Sequence, residues 1–82
     1  MDFKKGMVVI SRAGRDSGCP MAVVDVKDGF VFVCDGKERP LERPKKKNPL
    51  HLAATNKTIQ LDNITNRKLR TVLREHIAEE SE

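Results

Sequence analysis

The chain has no tryptophan and no tyrosine, and three phenylalanines are its only aromatic residues. A core built on large rings is therefore excluded, and the interior has to be packed mostly from Val, Ile and Leu. No apolar run approaches the ~20 residues a helix needs to cross a bilayer. The opening MDFKKGMVV has two lysines but neither a long apolar stretch nor a small-residue cleavage site, so it does not read as a signal peptide. These absences point to the cytoplasm and to no membrane partner. Cysteine is scarce too: Cys19 and Cys34 stand alone, without a CxxC pair. That excludes a zinc ribbon and a dithiol redox motif, and a cysteine within a strand is ordinarily a small buried hydrophobe.

Catalytic groupings are also missing. His51 and His76 are the only histidines and fall in different segments. Together with Cys19 and Cys34 they lack the close paired spacing of a structural zinc site, so no metal and no cofactor are expected. The glycines near residue 14 do not lead into the GK[ST] of a P-loop, and the segment after them is strand-like instead of helical. Ser11 and Ser17 have no base that the sequence identifies. The expectation is a protein that is not an enzyme and has no small-molecule substrate.

What is present is 82 residues with a net charge of +4, very unevenly placed. Residues 1–35 and 48–82 each balance to zero, so the whole excess lies between them. There Lys37, Arg39, Arg43, Lys45, Lys46 and Lys47 face only Glu38 and Glu42. Positive charge packed into one short segment is the footprint expected for a polyanion. The plain alternative is a loop kept soluble by its lysines.

The chain punctuates itself into short β-rich runs. MVVIS (7–11) reads as a first strand and MAVVDVK (21–27) as a second. Asp28–Gly29 then predicts a tight hairpin into FVFVC (30–34), because both central positions of that turn want positive φ. A second Asp-Gly, Asp35–Gly36, ends the third strand. Beyond it, Pro40, Pro44 and Pro49 interrupt any ladder, leaving a short edge strand near 37–41 and an irregular basic loop. LHLAA (50–54), with Leu50 and Leu52 on one face, would be a closing fifth strand. Five short strands suggest a small closed barrel spanning residues 1–55, with the basic loop at 37–47.

From residue 56 to 82 the period changes. Leu69, Val72, Leu73 and Ile77 form an apolar helical stripe. Thr65 serves as N-cap, and Ile64 and Leu69 occupy the staple positions around it. An amphipathic helix over about 66–79, packed on the barrel, completes one domain. Its basic residues, Arg67, Lys68, Arg70 and Arg74, lie toward the N-terminal end, against the helix dipole. Helix stability did not choose them, and an extension of the basic footprint is the less favoured reading of them. Phe30 and Phe32 fall on one strand face and Val31 and Val33 on the other. Packing under the helix is the favoured use of the two rings, and stacking on unpaired bases is the alternative.

The stretch KKGMVVISRAGRDSGCPMAVVDVKDGFVFVCDG (4–36) resembles the KOW motif, a barrel element of ribosomal proteins and transcription elongation factors. A basic pair and Gly6 precede strand one, Gly14 and Gly18 come next in a loop, and two Val-rich strands flank a tight turn. AGR at 13–15, VVDV at 23–26 and PLHL at 49–52 look most like the e-type fourteen family of large-subunit ribosomal proteins and their small bacterial relatives. The general pattern has a further glycine where Met21 stands, and the tail from Asn56 lies outside the match. The resemblance implies a mainly β, SH3-like barrel, no catalysis, and RNA, usually ribosomal RNA, as partner, with ribosomal proteins as possible neighbours. It gives Gly14 and Gly18 a use in shaping the loop. Arg12 and Arg15 would stand at its edge to fork onto phosphate oxygens. Phosphate contacts would otherwise come from Lys37, Arg39, Arg43, Lys45, Lys46 and Lys47. The other function open to such a chain is a protein-interaction module of the transcription or translation machinery, to which the mixed-charge helix would be suited.

Overall fold

The computed structural model describes residues 3–15 and 17–80, the last five as backbone. Five antiparallel strands form one sheet: β1 (Met7–Ser11), β2 (Pro20–Lys27), β3 (Phe30–Cys34), β4 (Lys45–Lys47) and β5 (Leu52–Thr58), in the order β4-β3-β2-β1-β5. A one-turn 3-10 helix, Pro49–His51, joins β4 to β5, and an α-helix, α1 (Asn66–Glu80), comes after the last strand. The protein is mainly β and barrel-like with a C-terminal helix, as its alternation and its change of period led us to expect.

The β2–β3 hairpin turns at Asp28 and Gly29, whose φ values of 54° and 80° are both positive. That backbone matches the right-handed twist of the flanking strands. Asp25 opposes Phe32 across a bulge between Val23 and Asp25, which bends β2 and tightens the curl of the sheet.

The sheet rolls up far enough for its β4 edge to reach β1. The Lys47 ammonium, on β4, donates to Ser11 Oγ at 3.1 Å and to the Ala13 carbonyl at 3.3 Å, at the end of β1. Those strands lie three spacings apart in the sheet, roughly 14 Å if it were flat, too far for one lysine side chain. Among the described residues no ladder joins β4 to β5. The roll is closed by side chains and the 3-10 turn instead of by a continuous ring of strands.

Rolling separates two apolar clusters. Val9, Met21, Val23, Val31, Val33 and Leu52 fill the inside, with Phe3 and Met7 against them. Val8, Ala22 and Cys34 face the other way and are covered by Leu69 and Leu73 of α1, with Leu41, Ile59 and Ile64 around the rim. The helix starts where its cap residue lies: Thr65 Oγ1 accepts from the Lys68 amide at 3.1 Å, and Ile64 and Leu69 meet in that second cluster. Ile77, the last residue of the apolar stripe, lies outside the residues whose side chains are described.

Several local expectations fail for reasons the chain topology makes plain. Residues 37–41 are not an edge strand. Asp35 Oδ1 accepts from the Lys37 and Arg39 amides at 2.8 and 2.9 Å, and the Asp35 and Gly36 amides donate to the Arg39 carbonyl. These bonds, with the Leu41 amide given to Asn66 Oδ1, occupy backbone groups that a ladder would need. The edge strand is Lys45–Lys47, within the stretch expected to be an irregular loop. Leu50 does not share the inward face of Leu52: it sits in the 3-10 turn, 80% exposed, while Leu52 is 4% exposed. The fifth strand runs on to Thr58. Phe30 and Phe32 are half-buried and belong to neither apolar cluster, because α1 covers only the Cys34 end of their face.

Candidate nucleic-acid interface

The loop between β1 and β2 is pinched at its base. The Ser11 amide donates to the Cys19 carbonyl at 3.0 Å and the Gly18 amide to the Ser11 carbonyl at 2.7 Å. Gly14 and Gly18 both have φ of 85°, left-handed backbone that lets the chain double back within a few residues. Arg12 and Arg15 project exposed from this loop. The Asp35–Arg39 turn rises opposite it, and its self-closing hydrogen bonds hold Lys37 and Arg39 exposed at its tip.

Between the two loops lies a cleft of about 440 Å³. Its walls carry four of the cations singled out in the sequence: Arg15, Lys37, Arg39 and Lys45. Asp35 and Glu38 also line it, but Asp35 Oδ1 is already engaged by two backbone amides. A second hollow of about 230 Å³ shares Cys19, Asp35 and Lys37 with the first and continues to Arg70, Leu73 and Arg74 on α1. The helix is fixed at that edge by Asn66, whose Oδ1 accepts from the Leu41 amide at 2.7 Å while its Nδ2 donates to the Glu42 carboxylate at 2.9 Å. Two adjoining hollows with lining in common thus gather six basic side chains from the glycine loop, the Asp35 turn, β4 and α1. The helix arginines were legible only through their unfavourable placement along the dipole.

The other four sequence candidates lie elsewhere. Arg12 sits beside the 3-10 turn, its amide donating to the His51 carbonyl at 2.8 Å. Arg43 is exposed on the turn after Pro40. Lys46 points to the opposite side of β4 and lies over the Phe30 ring, 4.2 Å from its centroid. Lys47, expected to meet phosphate, is 7% exposed and holds Ser11 and Ala13. Register decides this: Lys45 and Lys47 oppose Val33 and Val31, on the inner face, while Lys46 opposes Phe32.

Cys19 is exposed in the cleft wall, whereas Cys34 is buried. Burial, with a smaller push from the nearby charges of Asp35 and Glu42, raises the Cys34 thiol from 9.0 to about 11, so it stays protonated and unreactive at neutral pH. Among the described residues no three His, Cys, Asp or Glu side chains gather as a metal site requires, and no helix is long and apolar enough to cross a membrane. No protein-family model and no curated protein matches the chain.

Proposed function

We propose that this protein is a non-catalytic RNA-binding protein of the cytoplasm that engages structured RNA, ribosomal RNA being the expected target, through the basic concavity. The observation that carries the reading is the convergence of Arg15, Lys37, Arg39 and Lys45 with Arg70 and Arg74 on one continuous surface. Guanidinium and ammonium groups converging from separate segments suit a folded phosphate backbone, which presents charge from several directions. The KOW-like glycine loop and its resemblance to ribosomal proteins support the same reading, because Arg15 leaves that loop directly into the cleft.

A second reading, a protein-interaction module of the transcription or translation machinery, has one observation in its favour. Ile59, Ile64 and Val72 line a hollow of about 430 Å³ beside α1. Binding of a ribosomal RNA fragment across a salt series, for the parent and for Arg15→Ala/Lys37→Ala/Arg39→Ala/Lys45→Ala, separates the two. The RNA reading requires weaker binding and a salt slope flattened by about one for each phosphate no longer neutralised. Equal affinity and slope in the two proteins would overturn it, as would ribosome co-sedimentation that survives RNase.

A further inference from the structure

Phe30 and Phe32 stand on the outer face of β3, opposite in direction to the core residues Val31 and Val33. At the far end of that face α1 covers Val8, Ala22 and Cys34. Among the described residues no helix lies over the two phenylalanines, and both are half-buried, with part of each ring left open to solvent. Lys27 opposes Phe30 on β2, and Lys46 opposes Phe32 on β4. Lys46 leans diagonally so that its ammonium sits over the Phe30 ring. Asp25 shares the face, opposite Phe32, but has Lys5 within 4.0 Å. The face therefore offers two aromatic rings flanked by two cations.

We infer that this outer face is a stacking platform for unpaired nucleotides of the bound RNA, with Phe32 receiving a base and Phe30 holding the Lys46 ammonium where the adjoining phosphate passes. The inference rests on the RNA reading above and adds to it the kind of RNA: one with a single-stranded loop or end beside its paired region. Rings alone would suit any apolar partner. Rings interleaved with lysines match a strand in which flat bases alternate with phosphates. Continuity with the cleft is supplied by β4 itself, since Lys45 lines the cleft and its neighbour Lys46 serves the platform. A strand crossing β4 meets both.

The chain has no tryptophan, so Phe32→Trp installs a single fluorophore at the platform. The probes are an unstructured oligouridine and a fully paired RNA duplex of equal length, titrated into the full chain. The inference expects quenching of the Phe32→Trp emission by oligouridine and little by the duplex. Phe32→Leu, with an unchanged melting temperature, should weaken oligouridine binding by about tenfold, the loss typical of one stacked base, without changing its salt slope or its affinity for the duplex. If the parent binds oligouridine while Phe32→Leu binds it equally well, or Phe32→Trp is not quenched, the platform is overturned and the cleft reading stands. If the parent binds neither RNA, the RNA reading itself falls.

Discussion

Lys47 on β4 and Ser11 at the end of β1 are joined by a hydrogen bond of 3.1 Å from ammonium to hydroxyl, in the buried interior of the sheet roll. Ser11 in turn donates to the Ala13 carbonyl at 3.1 Å, and Lys47 reaches that carbonyl as well. A lysine from the most basic run of the chain thus works as a strut, tying the edge of the sheet to the root of the glycine loop. The root of the loop that carries Arg15 is held in part by a residue whose type suggested direct RNA contact.

Lys47→Met keeps most of the apolar stem and removes the ammonium. Losing a charged donor to a buried hydroxyl and a part-buried carbonyl should cost about 1–3 kcal/mol of stability. Lys46→Ala removes an exposed cation–π contact worth about 0.5–1 kcal/mol and should shift the melting temperature much less. Chemical denaturation of the two variants checks the ranking. Equal losses would mean that the strut carries no weight.

Gly18 and Gly36 share left-handed backbone, with φ of 85° and 80°, but not surroundings. A methyl group at Gly18 meets nothing within 4 Å, whereas at Gly36 it overlaps the Asn66 carbonyl oxygen and presses on Arg70 Cγ at 3.0 Å. Gly18→Ala should therefore cost only the backbone strain, about 1–2 kcal/mol, and Gly18→Val somewhat more. Gly36→Ala adds a steric conflict that has to lift α1 from the Asp35 turn. Thermal melts should place Gly36→Ala clearly below Gly18→Ala, and the reverse order would contradict the close approach.

Arg15 is exposed in the cleft wall and contributes nothing to either apolar cluster. Arg15→Ala should leave the stability within about 0.5 kcal/mol of the parent. Its RNA affinity should nonetheless fall by about 1 kcal/mol or more, the worth of a charge-assisted hydrogen bond to phosphate. Filter binding beside thermal melting, at one salt concentration, reads both quantities. A variant that binds like the parent would confine the interface to the Asp35 turn and α1.

Cys34 makes stability depend on alkaline pH. Its thiol is raised from 9.0 to about 11 in the folded chain, so the unfolded state releases its proton first. The stabilisation is fully present below pH 9 and is lost as pH rises toward 11, by an amount on the order of 2 kcal/mol. The Cys34→Ala variant should show a smaller fall over that window. Thiol titration offers an independent reading: exposed Cys19 should react at once with a disulfide reagent, and Cys34 only after unfolding.

Features set by neighbours in sequence were legible from sequence. The Asp28–Gly29 hairpin arises from two residues that tolerate positive φ. The Val31/Val33 inward pattern comes from the pleat, and the start of α1 from Thr65 with Ile64 and Leu69 around it. In each case the deciding interactions lie within a few positions of one another. The basic segment as a source of cations belongs to the same class, because charge counts need no coordinates. The division of labour within it does not. Lys45, Lys46 and Lys47 are identical side chains in a row, so no periodicity distinguishes them. Which one lines the cleft, which lies on Phe30 and which is buried against Ser11 depends on the register of β4 with β3 and on how far the sheet rolls. The fate of Phe30 and Phe32 was undetermined for a similar reason. Alternation puts them together on one face, opposite Val31 and Val33. Only the roll of the sheet makes that face the outer one, and only the docking of α1 at the Cys34 end decides how much of it is covered. Leu50 escapes the core because Asn48 caps a 3-10 turn, its side chain accepting from the Leu50 amide at 2.9 Å, which rotates that residue out of the alternation that Leu52 resumes. Sequence specified the first three strands, the helix and the charge, and long-range pairing specified the edge strand and which of those charges meet.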